Sequence, residues 1–420
     1  MARRPLASLL MLLVLCGCAA RVTAPVTPPP PVVKPLPLPA PKAPALVRLS
    51  EDQYPRFDDD MDLASLEAAI EKSLRYYSRA AGSGPRLMAE RMVTVRELKE
   101  SLIALREILR SGASAEARQE RIRETFEVYQ STGLDGGNTV LFTGYFEPIM
   151  EGSLEKTPRF RHPVYMAPGD AIVANLGKFN DRYLGEQLVG RISNGELIPY
   201  YSRSEIEDHG ALQGRNLEIA WVDDRINLFF LHTQGSGKLR LPDGRLLQIG
   251  YAMKNGRPFR SLGRFLMDTG KISPQEMSYQ AIKRYLREHP EELSEILGHN
   301  ESFIFFREVK EGPVGSLGEI LTAGRSIATD AAVFPKGAPA FIRMRKPVLD
   351  REGNALSWTP FSRFVFSQDA GGMIKGPGRV DLYCGSGDEA EMVAGSLKER
   401  GDLYFLVKKK ADGSSSTDQQ

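Results

Sequence analysis

Apolar residues recur at three- and four-residue steps early in the chain. Leu63, Leu66, Ile70 and Leu74 form one stripe, and Leu98, Leu102, Leu105 and Leu109 form another. Such spacing lines one face of an α-helix, so the pattern predicts helices between Asp60 and about Gln130. Ser111-Gly-Ala-Ser114 interrupts the run, and a third helix is predicted over Ala115–Tyr129. The stripes are too short for a coiled coil and predict helices packed around a core. Beyond Gly136 short β-rich runs alternate with Gly, Pro, Asn and Asp. They are Thr139–Phe146, Ile226–His232, Lys238–Leu241, Leu246–Tyr251, Ser302–Glu308, Ala340–Lys346, Arg363–Gln368, Arg379–Cys384 and Leu403–Lys408. Asp243-Gly244 between two of them is a hairpin signal. Ser273-Pro-Gln-Glu276 reads as a capping box with Pro at the first helical position, opening a helix predicted to run to about His289. Pro290 then opens a short second helix ending near Gly298. Many short strands with irregular links predict a mainly β chain, a barrel or sandwich, with N-terminal helices.

The first twenty residues differ. Arg3 and Arg4 precede the apolar run Leu6–Leu15, which is too short to span a bilayer. It ends in Leu15-Cys-Gly-Cys18, which resembles the lipobox of bacterial lipoproteins. That resemblance implies cleavage before Cys18 and a diacylglycerol on its thiol; the other reading is an ordinary secretory signal with incidental cysteines. Ala19 after the cysteine is similar to outer-membrane sorting signals, so the expected location is the outer membrane, lipid-anchored and facing the periplasm. Pro25–Pro44 holds ten prolines. It is expected to form a semi-rigid polyproline II tether reaching on the order of 60 Å. No other run is long and apolar enough to cross a membrane. The tail Ala411–Gln420 is polar and expected to be disordered.

Charge and cysteine content narrow the chemistry. The chain has 420 residues, with 55 Lys and Arg against 53 Asp and Glu. The formal charge of +2 falls to 0 once a leader containing Arg3 and Arg4 is removed. A neutral protein lacks the phosphate-neutralising charge of a general nucleic-acid binder. Three cysteines cannot build a disulfide framework, and five scattered histidines without HExxH offer no zinc site. With Cys18 acylated and Cys16 removed, Cys384 is the remaining thiol.

Three segments could carry chemistry. Thr143-Gly-Tyr-Phe-Glu-Pro148 ends a strand in a turn with two aromatics and a carboxylate. Aromatic faces beside hydrogen-bonding groups suit a sugar ring; taken alone, the motif fits a core strand end with a buried Tyr better. Leu228–Gly237 is read as an apolar strand delivering His232, Thr233, Gln234 and Ser236 into a loop whose glycines allow close ligand approach. A satisfied strand-end histidine is the other reading of His232. In Gln368–Gly385, Asp369 closes one strand and Asp381 sits inside the next. There Arg379, Asp381 and Tyr383 share one face, and Val380 and Leu382 the other. A carboxyl in mid-strand, if partly buried, has a raised pKa and can donate a proton near neutral pH. The alternative is a solvent-facing Asp paired with Arg379.

Together these segments resemble the family of membrane-bound lytic murein transglycosylase A. The match rests on Thr143–Pro148, Phe229–Gly237, Gln275–Ile282, Gly312–Gly318, Leu321–Ser326, Gln368–Gly376 and Asp381–Asp388, in one order over roughly residues 60 to 408. The resemblance implies a double-psi β-barrel domain assembled from two chain segments, 47–160 and 309–410, with an inserted second β-domain over 161–308. A signal peptide (1–17) and an acylated tether (18–46) would precede it. A groove between the domains would hold a glycan strand. By the same resemblance Asp381 is the catalytic acid and Asp369 the second groove aspartate. Thr143, Gly144, Tyr145, Phe146, Gln234, Gly235, Ser236 and Lys375 would contact substrate. Where relatives commonly carry His-Phe-Asp this chain has Arg379-Val-Asp381, and a cation beside Asp381 would lower its pKa.

The implied activity is cleavage of the MurNAc-β-1,4-GlcNAc bond of peptidoglycan with formation of a 1,6-anhydromuramoyl end. One Asp would act as acid and then base, without metal or cofactor. The expected partners are glycan strands and the outer membrane, the protein acting as a monomer. Two other classes remain open. A catalytically silent, expansin-like peptidoglycan-binding lipoprotein would bind without cutting. An acid protease would need a second loop like Asp369-Ala-Gly.

Overall fold

A computed structural model of the chain describes residues 44–79, 86–350 and 355–410. The leader, Cys18, most of the proline-rich segment and the tail 411–420 lie outside the described residues.

The N-terminal part opens with β1 (Leu46–Arg48) and α1 (Leu63–Arg79), followed by the hairpin β2 (Arg86–Met88) and β3 (Arg91–Val93). Then come α2 (Val95–Arg110), α3 (Ala115–Thr125) and β4 (Phe126–Ser131). The predicted stripe of α1 is buried at Leu66, Ile70 and Leu74, together with Ala69, Ser73 and Tyr77. Thr94 caps α2: its hydroxyl accepts from the Glu97 N–H at 3.2 Å while Glu97 accepts from the Thr94 N–H at 2.8 Å. This reciprocal pair satisfies two donors of the first turn. The third helix stops at Thr125, short of the predicted Tyr129. From Phe126 buried positions follow strand spacing, and Val128 pairs with Leu406 across an antiparallel ladder. Pairing with a distant strand outweighs the weak helical signal of Phe-Glu-Val-Tyr.

The middle of the chain runs through β5 (Val140–Glu147), β6 (Ile149–Ser153), β7 (His162–Tyr165), β8 (Ile172–Asn175), β9 (Gln187–Ser193), β10 (Glu196–Pro199) and α4 (Arg203–Glu207). It continues with β11 (Glu218–Val222), α5 (Arg225–Gln234), β12 (Ser236–Arg240), β13 (Leu246–Lys254), α6 (Leu262–Asp268), α7 (Tyr279–Glu288), α8 (Leu293–His299) and β14 (Ile304–Glu308). Six of these strands form a sheet in the order β14-β13-β12-β6-β11-β7, and β8 to β10 make a separate three-stranded sheet. The predicted hairpin joins β12 and β13, with Gly244 at φ 84°.

Two sequence readings are corrected here. Ile226–His232 is helical, not a strand. Asp224 accepts from the N–H groups of Ile226 (2.7 Å) and Asn227 (3.2 Å), and Gly235 closes the helix at φ 82°. A short apolar run buried on every side has no periodicity to reveal it, so the caps decide. The Ser273–Glu276 capping pair does form, with the Ser273 hydroxyl donating to Glu276 at 2.7 Å. It closes only a turn, and the helix starts later, at Tyr279, capped by Ser278.

The C-terminal part holds β15 (Ser326–Ala328), β16 (Pro339–Leu349), β17 (Ala355–Asp369), β18 (Arg379–Ser386), α9 (Asp388–Ser396) and β19 (Lys398–Lys408). The sheet runs β1-β4-β19-β16-β17-β15-β18-β5, and a further β19–β5 pairing closes six strands into a barrel. β5 thus joins the barrel although some 180 residues separate it from the other five strands. Its core contains Phe142, Phe341, Phe364, Phe366, Val380, Leu382 and Phe405, continuous with the apolar faces of α1 and α2. Buried polar groups tie α1 to the barrel. Gln368 donates to the Ala69 carbonyl (2.7 Å) and Ser73 hydroxyl (2.9 Å). Arg325 reaches Asp59 at 2.6 Å and the Phe364 carbonyl at 2.9 Å. The end of β17, one residue before Asp369, is therefore anchored from below.

Candidate active site

The parallel pair β5 and β18 brings two distant motifs together. Its register sets Asp381 opposite Thr143 and Tyr383 opposite Tyr145. On the other side of β18, Ala328 stands opposite Asp381. Val380 and Leu382 point into the barrel core, so alternation turns Asp381 away from it. The Thr143 hydroxyl donates to Asp381 Oδ1. Asp381 keeps 22% of its side-chain surface exposed, a narrow opening to solvent.

Burial pushes the Asp381 carboxyl up to about 6; Arg379 works against the rise, and Asp369 adds to it. The lowering expected from Arg379 is present but smaller than the rise that burial causes. Arg379 Nη2 lies 3.6 Å from Asp381 Oδ1, beyond direct hydrogen-bond distance, and donates instead to the Thr143 hydroxyl at 3.2 Å. Lost hydration outweighs a cation that stands one step back.

Asp369 lies at the end of β17. It accepts from the N–H groups of Ser316 and Ala370, each at 2.9 Å, and from the Tyr145 hydroxyl at 2.9 Å. Burial raises its pKa while these donors pull the other way. Tyr145 packs on Tyr383 with ring centroids 5.4 Å apart. Burial and the neighbouring carboxylates hold the Tyr145 hydroxyl well above the usual phenol range, so it is a donor and not a base.

The remaining expected site residues divide. Thr143 and Tyr145 face the carboxylates. Gly144 and Phe146, expected with them, turn to the opposite side of β5. A Cβ on Gly144 would stand 2.6 Å from Ala394 Cα, so the packing of α9 requires that glycine. Phe146 is buried with Ala390 and Ala394 and meets Tyr279 edge-on at 5.9 Å. Gln234 accepts from the Phe146 N–H at 3.1 Å and so ties the end of α5 to β5. Gly235 is the left-handed cap of α5, and half-buried Ser236 begins β12 opposite Gly250. Lys375 is exposed in the loop between β17 and β18.

His232 is a core residue. It packs between Phe303 and Phe306, and its Nδ1 lies 2.9 Å from Arg203 Nη1. Burial and Arg203 hold its pKa well below the usual imidazole range. Burial pushes the Cys384 thiol up to about 12, which leaves it an inert thiol. A cavity of about 320 Å³ between α5, α7 and α9 is lined by Phe230, Tyr279, Gln280, Lys283 and Glu391, and contains neither Asp381 nor Asp369.

Sequence reasoning missed the group around Glu147. That carboxylate lay inside a motif already singled out, but its partners are remote. Ser386 is 239 positions away and Gln248 is 101. No local signal links them.

Comparison with known proteins adds to this geometry. Residues 141–307 match the family model described as the MltA specific insert domain, and residues 325–407 match the 3D domain. The chain is 31% identical over 307 residues to membrane-bound lytic murein transglycosylase A of Escherichia coli K12, covering 72% of this chain and 74% of that protein. It is 32% identical over 304 residues to the protein of that name from Vibrio cholerae, covering 71% and 73%. Among solved structures it resembles a membrane-bound lytic murein transglycosylase from Agrobacterium tumefaciens. There the TM-score is 0.70 at 29% identity, over 87% of this chain and 98% of that one. E. coli MltA with bound chitohexaose gives a TM-score of 0.67 at 25% identity, over 88% and 95%.

Proposed function

Because the chain belongs to the family of membrane-bound lytic murein transglycosylase A, we propose that it cleaves the MurNAc-β-1,4-GlcNAc bond of peptidoglycan without water and leaves a 1,6-anhydromuramoyl end. The observation that carries this reading is Asp381, a half-buried carboxyl with 22% of its side-chain surface exposed, whose pKa burial raises to about 6. A carboxyl titrating there is protonated often enough to act as a general acid near neutral pH.

The reaction balances with one carboxyl. Asp381 gives its proton to the glycosidic oxygen; the bond to MurNAc C1 breaks through an oxocarbenium-like transition state. The resulting carboxylate takes the proton of the muramoyl C6 hydroxyl as that oxygen bonds to C1. Glycosidases in general need a second carboxylate because water or the enzyme supplies the nucleophile. Here the substrate supplies it. Asp369 then has an electrostatic and positioning part: its charge helps raise Asp381, and its bond from Tyr145 orients that ring. Thr143 orients the Asp381 carboxyl by donating to Oδ1.

The finer architecture is also proposed. The barrel would be a double-psi barrel built from 47–147 and 309–410. We draw the start of the insert at Pro148, earlier than the Arg161 expected from the sequence, because β6 (Ile149–Ser153) pairs with β11 and β12. Its end stays at Glu308. Gln234, Ser236 and Lys375 would contact the glycan strand. Anchoring of acylated Cys18 in the outer membrane, facing the periplasm, fits the word membrane-bound in the relatives' names. Among the described residues no helix is long and apolar enough to cross a membrane.

The test is a digest of purified sacculi read by mass spectrometry. Anhydro ends are lighter by one water, about 18 Da, than hydrolysis products. Release of anhydro-muropeptides by the wild type and not by Asp381→Asn is the expected result. Hydrated products would make the enzyme a muramidase. Binding without release would favour the expansin-like alternative.

A further inference from the structure

Glu147 ends β5 two residues beyond Tyr145 and has no exposed surface. Lys238 Nζ lies 3.1 Å from its Oε2, and the Ser386 hydroxyl donates to the same oxygen at 2.6 Å. Gln248 Nε2 donates to Oε1. The Glu147 carbonyl accepts from the Gly387 N–H at 3.0 Å. These partners come from two bodies of structure. Lys238 and Gln248 belong to β12 and β13 of the second six-stranded sheet, whereas Ser386 ends β18 of the barrel and Gly387 leads into α9. A second contact holds the same junction: the Lys238 N–H donates to the Pro148 carbonyl at 2.9 Å.

The cluster also reaches the carboxylates. The Ser386 and Tyr383 hydroxyls are 3.2 Å apart, Tyr383 packs on Tyr145, and Tyr145 donates to Asp369. A fully dehydrated carboxylate persists only where its partners are held in place around it.

We propose that Glu147 is a positioning residue for glycan cleavage. Its carboxylate joins β18 of the barrel, which carries Asp381, to β12 and β13 of the second sheet, and so fixes the spacing of the two surfaces between which a bound glycan strand would lie. This rests on the transglycosylase reading above. A clamp of this kind governs how well a long glycan touches both walls at once. It leaves the proton transfer at Asp381 unchanged once the strand is bound.

The experiment compares the full chain with Glu147→Gln, Gln248→Ala and Ser386→Ala, each checked for folding by circular dichroism. Binding of chitohexaose is followed by calorimetry, and kcat and KM are measured on glycan strands. For Glu147→Gln the expected result is a rise of about tenfold in KM and in the chitohexaose Kd, with kcat within about twofold and an unchanged pH profile. Chitobiose, too short to span both walls, should bind within about twofold of the wild type. A folded Glu147→Gln that keeps KM and Kd and loses only thermal stability would overturn the proposal; so would a fall in kcat at constant KM. If Glu147→Gln does not fold, the two milder variants are read in the same way, with a rise of about threefold expected. Absence of anhydro products from the wild type would sink the transglycosylase reading alone, since chitohexaose binding tests the clamp without catalysis.

Discussion

Two carboxylates stand on the paired strands β5 and β18, and their surroundings are opposites. Glu147 is fully enclosed, with a lysine at 3.1 Å and a serine hydroxyl at 2.6 Å. Asp381 keeps a small opening, and its cation stands off at 3.6 Å. The first has its charge matched closely enough to serve as a structural anchor. The second is dehydrated with its charge under-compensated, so its proton is retained toward neutral pH.

The comparison breaks most visibly at Asp381. Asp381→Asn removes the transferable proton and is expected to lower the rate of anhydro-product release by about 10²- to 10⁴-fold. Product analysis and glycan binding in parallel check this, and binding should persist.

At the other carboxylate, Lys238→Met takes away the cation and leaves a buried, uncompensated charge. The expected cost is about 3–5 kcal/mol in urea unfolding. Glu147→Gln combined with Lys238→Met should recover most of that loss. A single variant as stable as the wild type would mean that the lysine does not compensate Glu147.

Asp381→Asn has the opposite sign in the same measurement. The folded pKa of Asp381 lies above that of an unfolded aspartate. Its favourable contribution is therefore complete only below about pH 4 and is lost as pH rises through about 6. At pH 7 the asparagine variant should be more stable by about 3 kcal/mol, and the difference should vanish below about pH 4. Unfolding curves at pH 7 and pH 4 decide it.

The finest distinction concerns Arg379. Since the acid must be protonated, kcat/KM should fall as pH rises above about 6, the value set mainly by burial. Arg379→Met removes the cation that opposes the rise and should move that limb upward by about one unit. A limb that does not move would place the controlling ionisation on another group.

Much of this molecule is legible along the chain. The stripes of α1 and α2, the Asp243-Gly244 hairpin, the β-rich C-terminal half and the mid-strand position of Asp381 all follow from spacing and turn chemistry. Those signals act over a few residues, which is the range on which helix and strand periodicity and capping depend. Where a segment is buried on every side the periodicity disappears. That is why Ile226–His232 read as a strand and folds as α5, with Asp224 and Gly235 as its ends.

What only the tertiary structure decided is which distant groups share a site and how far each charge is stripped of water. The parallel pairing of β5 with β18 put Thr143 beside Asp381 and split Thr143–Phe146 between two faces. The closing of the barrel against the second sheet gave Glu147 its lysine and serine. The sequence by itself determined the local elements and the acid in mid-strand. Its raised pKa and the matched charge of its neighbour arise from burial and long-range contact, quantities that belong to the folded chain and to no short stretch of it.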